Sequence, residues 1–202
     1  ISSQEQQIFW KKVIINCNIS SSTILPFYGF NFLDFEGKNF PTIVMEYMPQ
    51  GSLDALITEK TRITTGQKYT ILFGIAEGLK YLHSQKIAHL NLKPRNILLN
   101  RNYQPYLCDF FDFIETTSIT NLRNLHYIAP EIITNYKKSY KSDVFSFSII
   151  FYEVITGEKA YEEINNYEEF KLEIIKGKRP NLKKISSERV KNFLFKCWAS
   201  DI

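Results

Sequence analysis

The chain is 202 residues long and carries a formal net charge of +4, with 44% hydrophobic and 15% aromatic residues. This composition excludes a disordered or collagen-like chain, and the length suits one large domain or a two-lobed domain with a substantial core. The basic residues are scattered rather than clustered along one track, which disfavours nucleic-acid binding.

The cysteines Cys17, Cys108 and Cys197 lie far apart and form no C-x-x-C pair. This usage predicts a reducing compartment, with neither a disulfide framework nor a zinc site. The sequence shows no signal-peptide pattern at its start, and its mostly apolar stretch 144–152 is too short to span a bilayer. We therefore expect a cytoplasmic protein without membrane insertion.

The first quarter of the chain predicts one helix and two strands. Residues 3–18 have a ragged helical pattern of apolar positions, which Ser20-Ser21-Ser22-Thr23 interrupts. Residues 24–35 and 41–47 are typical of strands joined by a turn at Glu36-Gly37-Lys38. A short helix is expected near residues 52–58.

The rest of the chain is mainly helical by pattern. Thr64 or Thr65 can cap a helix with one apolar face, made of Leu72, Ile75, Ala76, Leu79 and Leu82. Short buried strands are expected at 97–99 and 106–108, and helices at roughly 141–156, 166–176 and 186–199. The pattern predicts an α+β fold with a small β-rich front and a helical rear.

The stretch 89–99 reads His-Leu-Asn-Leu-Lys-Pro-Arg-Asn followed by an apolar run, with Asp109-Phe110 downstream. It resembles the catalytic loop and the D-F-G motif of eukaryotic protein kinases. Further segments resemble kinase motifs in the same order, at 44–53, 129–131 (Ala-Pro-Glu), 143–147, 177–180 and 196–198. The resemblance is to the tyrosine-kinase-like group, and Lys93 is the serine/threonine-type residue of the catalytic loop.

The resemblance implies a two-lobed fold. Residues 1–48 would form a partial N-lobe, with one helix, about two strands and a hinge at 46–48. Residues 49–202 would form a helical C-lobe that lacks its last helix. Because strands of the small lobe would then be left uncovered, we expect the isolated chain to be marginally stable or self-associating.

The resemblance also implies an ATP site with magnesium. Asp109 would chelate a Mg²⁺ ion that bridges the nucleotide phosphates, and Asn96 would hold a second ion. Leu98 would pack beneath the adenine ring, and the adenine edge would meet the hinge residues and the gatekeeper before them, Met45, Glu46, Tyr47 and Met48. The ordinary alternatives are a turn cap for Asn96, a salt bridge for Asp109 and a core position for Leu98.

Three positions depart from the family pattern in ways that affect chemistry. Asn91 stands where kinases have the catalytic Asp, and an amide cannot take up the proton of a substrate hydroxyl. Leu90 replaces the Arg that often grips a phosphate on the activation loop, so control through Thr116, Thr117, Ser118 or Thr120 is not expected. Phe111 replaces the D-F-G glycine, where it could plug part of the site or simply anchor the loop.

Lys12 aligns with the helix glutamate that pairs the phosphate-binding lysine in kinases, an inversion of charge. The glycine-rich loop and the V-A-I-K lysine do not occur within these residues. Lys11 or Lys12 could reach the phosphates instead, but a lysine on a helix face is far more often solvated. Glu131 would need a cation in place of a missing Arg, and Arg189 and Lys191 are the candidates.

These observations leave three hypotheses for function. The favoured one is a catalytically impaired pseudokinase that acts as an interaction or regulatory module for a protein partner. The alternatives are an active serine/threonine kinase with a protein substrate, and a sensor that binds ATP without transferring its phosphate.

Overall fold

The computed structural model describes residues 3–110 and 125–199. Its helices are α1 (Ser3–Asn18), α2 (Leu53–Thr58), α3 (Thr65–Ser84), α4 (Pro130–Asn135), α5 (Tyr140–Thr156), α6 (Tyr167–Ile175) and α7 (Glu188–Trp198). Its strands are β1 (Phe27–Asn31), β2 (Thr42–Met45), β3 (Ile97–Leu99) and β4 (Pro105–Leu107), and short 3₁₀ turns occur at Pro94–Asn96 and Leu182–Lys184. The α+β class predicted from the sequence is confirmed.

Helix α3 begins where its capping residues allow. The Thr64 hydroxyl accepts a hydrogen bond from the Gln67 backbone N–H, and the Gln67 side chain accepts one from the Thr64 N–H. This reciprocal capping box satisfies two of the free donors at the helix start. The buried face comprises Ile71, Leu72, Ile75, Gly78, Leu79 and Leu82, so the predicted apolar face is largely confirmed.

The front of the molecule contains the antiparallel hairpin β1–β2, which is shorter than the sequence predicts. Asp34 ends it, because its carboxylate accepts hydrogen bonds from the backbone N–H groups of Glu36 and Lys38. Gly37 completes the turn with a φ of 75°, a conformation that glycine adopts without strain. Local side-chain bonding therefore replaces the ladder at the end of the predicted strands.

Aromatic rings hold α1 against this hairpin. Phe9 and Trp10 of α1 meet Phe30 and Phe32 edge to face, with the Trp10–Phe30 centroids 5.3 Å apart and the Phe9–Phe30 centroids 6.0 Å apart. Val13, one turn further along, is buried. These contacts position the helix that carries Lys12.

The hairpin β3–β4 joins the front of the chain to the rear. The segment before β1 runs along β4, where the Leu25 N–H donates to the Leu107 carbonyl and the Leu107 N–H donates to the Thr23 carbonyl, both at 2.9 Å. On the other side, the Leu99 N–H donates to the Gly51 carbonyl. The second strand ends one residue earlier than predicted, since the Cys108 N–H turns to the Asn96 carbonyl.

Helix α5 is the buried centre of the rear part. Its small polar residues are paired: Ser146 donates to the Tyr127 carbonyl at 2.6 Å, and Ser148 accepts from the Trp198 indole N–H at 2.7 Å. Among the described helices, none is both long and apolar enough to cross a membrane.

Glu131 is satisfied differently from the sequence expectation. The Ser142 hydroxyl donates to its carboxylate at 2.8 Å, and the charge of Glu131 acts to raise the pKa of Arg179, which burial lowers overall. Lys191 instead bonds Glu188, and Arg189 is exposed. Arg179 is thus a cation whose pKa is influenced by Glu131, and its guanidinium lies over the Phe145 ring, 5.3 Å from the ring centroid.

The close packing of α3 against β4 makes a testable prediction. A Cβ atom on Gly78 would lie 2.7 Å from Leu107 Cδ1, and Leu107 is fully buried. We expect Gly78→Ala to lower the free energy of unfolding by about 1–3 kcal/mol through overpacking, measured by urea denaturation. Gly66→Ala, in the same helix but exposed, is the control and should gain up to about 1 kcal/mol. Equal effects of the two substitutions would contradict this packing.

A buried carboxylate predicts a pH dependence of stability. Glu153 has no exposed surface, accepts hydrogen bonds from the Tyr127 hydroxyl and the Ala160 N–H at 2.9 Å each, and has its pKa raised to about 7 by burial. The folded state therefore binds a proton that the unfolded state releases between about pH 4.5 and pH 7. The contribution of Glu153 to stability consequently falls as the pH rises through this window.

The substitution Glu153→Gln should remove this loss of stability with rising pH. Relative to the wild type, the variant should gain stability progressively from pH 4.5 to pH 7 and keep a gain of up to roughly 3 kcal/mol above it. Chemical denaturation at several pH values measures the difference, with exposed Glu162→Gln as the matched control. A pH-independent difference would show that Glu153 is already ionised in the folded protein.

Candidate functional site

A fully buried aspartate on α5 holds the backbone of the candidate catalytic loop. One carboxylate oxygen of Asp143 accepts from the His89 N–H and the His83 ring, and the other accepts from the Leu90 N–H, at 2.7–2.8 Å. Leu90 has a φ of 58°, a region that a leucine rarely adopts. Charge-assisted hydrogen bonds to the carboxylate offset this strain and fix the entry to Asn91.

Asn91 uses its amide as a donor toward Asp109. The Asn91 Nδ2 atom lies 3.0 Å from Asp109 Oδ2 and 3.3 Å from the Asp109 carbonyl oxygen. The Asn91 N–H donates to His89 Nδ1 at 3.3 Å, and its carbonyl accepts from Asn96 Nδ2 at 2.8 Å. The two loops that the sequence identifies are thus joined directly by this side chain.

Lys12 bonds the other oxygen of the same carboxylate. Its ammonium lies 2.8 Å from Asp109 Oδ1, and the side chains of Lys12 and Asp109 are 27% and 39% exposed. The expectation that a lysine on this helix face is solvated is therefore wrong for Lys12. The sequence contained the signal, a lysine at the position of a glutamate, but did not identify Asp109 as its partner.

The candidate metal ligands Asp109 and Asn96 are both bonded to neighbouring residues. Both carboxylate oxygens of Asp109 already have donors, and the amide nitrogen of the buried Asn96 is bonded to the Asn91 carbonyl. Across residues 3–110 and 125–199, no group of three or more His, Cys, Asp and Glu side chains is arranged to hold a metal ion. The bond of the Asn96 nitrogen leaves Oδ1 as the atom of this amide that could bind a metal. Magnesium ligation by Asp109 and Asn96, which the motifs imply, stays a prediction.

The expected adenine-binding residues lie at the end of β2 and on β3. Met45 pairs with Phe27, the Glu46 N–H donates to the Pro26 carbonyl, and the Met48 carbonyl accepts from the Gly51 N–H. Tyr47 is largely exposed and Met48 is buried. Leu98 pairs with Tyr106 and bridges to Ser52, which brings β3 beside the segment after the hinge. Adenine binding by these residues stays a prediction.

Phe110 and Lys93 both influence His89, the first residue of the candidate catalytic loop. Phe110 is buried, with its ring edge to face with that of His89 at 6.0 Å. Burial lowers the pKa of His89 to about 4, and the charge of Lys93 acts in the same direction. His89 is therefore neutral at physiological pH. Phe111 and the threonine and serine positions of the activation segment lie outside the described residues.

Comparison with known proteins identifies the family. The model of the protein tyrosine and serine/threonine kinase family matches residues 1–202. The chain belongs to the protein kinase family. The match confirms the resemblance drawn from the motifs, and with it the kinase-like α+β fold.

Individual relatives agree with this assignment. A putative serine/threonine-protein kinase/receptor, R831, of Acanthamoeba polyphaga mimivirus is 36% identical over 162 residues, which are 77% of this chain and 10% of the relative. The RGS domain-containing serine/threonine-protein kinase A of Dictyostelium discoideum is 35% identical over 76% of this chain and 14% of its own length. The cysteine-rich receptor-like protein kinase 6 of Oryza sativa subsp. japonica is 42% identical over 58% of this chain and 19% of its own length. The kinase-like chain thus spans between a tenth and a fifth of these relatives.

The charges at the site make a prediction about thiol reactivity. Burial and the neighbouring Asp109 raise the pKa of Cys108 to about 12, against the opposing charge of Lys12, whereas Cys17 is exposed. We expect iodoacetamide at pH 8 to label Cys108 more than about a hundredfold more slowly than Cys17, because the thiolate is the reactive form.

Peptide mass spectrometry measures the two labelling rates. Labelling in denaturant is the control, since unfolding should make the rates of Cys17 and Cys108 similar. Equal rates in the native protein would mean that the Cys108 thiol is not held in the buried position beside Asp109.

Proposed function

We propose that this kinase-like chain is a catalytically impaired domain, a pseudokinase that acts as an interaction or regulatory module on protein partners. The observation that carries the proposal is the Asn91 amide at the catalytic position, donating its hydrogen to Asp109. An amide is not basic, so Asn91 cannot take up the proton of a substrate hydroxyl.

The loss of the general base by itself would lower the rate of phosphate transfer severely. General-base catalysis usually contributes a factor of about 10²–10⁴ in rate. The Asn91 amide could orient a hydroxyl, but the departing proton would need another acceptor. Lys93 is a cation and cannot accept it in its charged form.

The ion pair of Lys12 with Asp109 is a second argument. In protein kinases this aspartate holds the metal that neutralises the nucleotide phosphates. Here its charge is already compensated by an ammonium at 2.8 Å. The asparagine at position 91 and the lysine at position 12 both stand where the family pattern has a residue with a chemical role. Both side chains bond the Asp109 carboxylate.

In contrast, the candidate catalytic loop is held by hydrogen bonds and by packing. Asp143 holds the backbone at His89 and Leu90, and Phe110 packs against His89. A domain with retained packing and altered chemical groups suits recognition of a partner by shape. The alternative of an active serine/threonine kinase draws its support from Lys93, from Ala129-Pro130-Glu131 and from the names of the relatives.

Phosphate transfer tests the proposal. The longest natural polypeptide that contains this sequence is incubated with γ-labelled ATP and Mg²⁺ or Mn²⁺, and label is followed on the protein and on a generic basic substrate. We expect no transfer above that of Asp109→Asn. Asn91→Asp should not restore transfer, because it places a second carboxylate about 3.0 Å from Asp109 while Lys12 remains paired.

The matched control is Asn102→Asp, which makes the same chemical change at an exposed turn residue outside the site. Wild-type labelling that Asp109→Asn abolishes would establish an active kinase. A gain of at least about a hundredfold in Asn91→Asp would reveal a latent one, since that is the usual value of a general base. A nucleotide-dependent rise in melting midpoint without transfer would favour the sensor alternative.

A further inference from the structure

The carboxylate of Asp109 is bound on both oxygens by donors from distant parts of the chain. Oδ1 receives the Lys12 ammonium at 2.8 Å and Oδ2 receives the Asn91 amide at 3.0 Å. The first contact joins residues 97 positions apart in the sequence. It is therefore a product of the docking of α1 and not of local chain geometry.

Both ends of this ion pair are anchored. On the lysine side, Val13 is buried and the Phe9 ring packs against Phe30, so α1 cannot turn the Lys12 position away without losing apolar contacts. On the aspartate side, Cys108 donates its N–H to the Asn96 carbonyl, and Phe110 is buried. The two charged groups are held toward each other from opposite sides.

We propose that the Lys12 ammonium takes the place of a divalent cation at Asp109, so that the site excludes Mg²⁺ and Mn²⁺ while the ion pair is intact. This inference concerns the same site as the proposed function. It rests on the ion pair alone, and its test does not involve phosphate transfer.

Electrostatics supports the exclusion. The pair is partly shielded from water, with exposed fractions of 27% and 39% for the two side chains, so its charges are screened less than those of a surface pair. A divalent ion on Oδ1 would have to displace the ammonium or lie directly beside it. Either route opposes metal binding, because the first breaks the bond at 2.8 Å and the second brings like charges together.

The remaining candidate ligands are too few and too weak to displace the ammonium. Magnesium and manganese prefer several oxygen ligands, of which carboxylates are the strongest. Within the described parts of the chain, Asp109 does not belong to a group of three or more His, Cys, Asp or Glu side chains that could hold an ion. The neighbouring Asn96 and Asn91 offer only neutral amide oxygens, which are weaker ligands for these ions than carboxylates.

Removing the ammonium should therefore create a metal site. Lys12→Met keeps the aliphatic stem of the side chain and removes only its charge. We expect one Mn²⁺ ion to bind this variant at least about tenfold more tightly than the wild type, a change of about 1.4 kcal/mol. Titration of Mn²⁺ alone, followed by the electron paramagnetic resonance signal of the free ion, measures the affinity without nucleotide.

Three further variants define where the ion binds. Lys12→Met combined with Asp109→Asn should return to the wild-type affinity, because the carboxylate is then absent. Lys11→Met removes the same charge one residue away on the exposed side of α1 and should behave as the wild type. Lys12→Gln removes the charge but keeps a hydrogen-bond donor, and it should also gain Mn²⁺ binding. It replaces Lys12→Met in the test if circular dichroism shows that Lys12→Met does not fold.

Two results would overturn the inference. One is a wild-type protein that binds Mn²⁺ as tightly as Lys12→Met and loses it in Asp109→Asn. The other is a folded Lys12 variant that gains no Mn²⁺ binding. A wild type that transfers phosphate but holds no Mn²⁺ at Asp109 would remove the proposed function and leave this inference standing, so the two failures are distinguishable.

Discussion

The structure depends on one buried carboxylate, that of Asp143. It has no exposed surface, and an ionised group in that position is costly unless its oxygens are bonded. Two backbone N–H groups of the candidate catalytic loop and the His83 ring meet this requirement. The bonds to Asp143 are made by backbone N–H groups and do not involve the side chains at positions 90 and 91.

The candidate catalytic loop is held by backbone hydrogen bonds, whereas the charges in the site belong to side chains. With an asparagine at position 91 and a lysine at position 12, the environment of Asp109 contains two donors and is close to neutral. The charge of Asp109 still raises the pKa of the neighbouring Cys108, while Lys12 opposes it. Lys12, Asn91 and Asp109 thus form one bonded network within the protein.

The rear of the domain contains another bonded carboxylate, that of Glu131. The Ser142 hydroxyl donates to it, and its charge acts on the pKa of Arg179.

The amino-acid sequence by itself determined the family, through motifs in a fixed order, and the start of α3, through the capping residues Thr64 and Gln67. These features depend on neighbours within a few residues, which a sequence displays directly. The strands β1 and β2 are shorter than the sequence pattern predicts, because the pattern does not show the hydrogen bonds that Asp34 makes to the backbone of its own turn. The Lys12–Asp109 ion pair was decided only by tertiary structure. The ragged pattern of α1 does not indicate which face points into the site, and only its docking against β1 brings the two charges together.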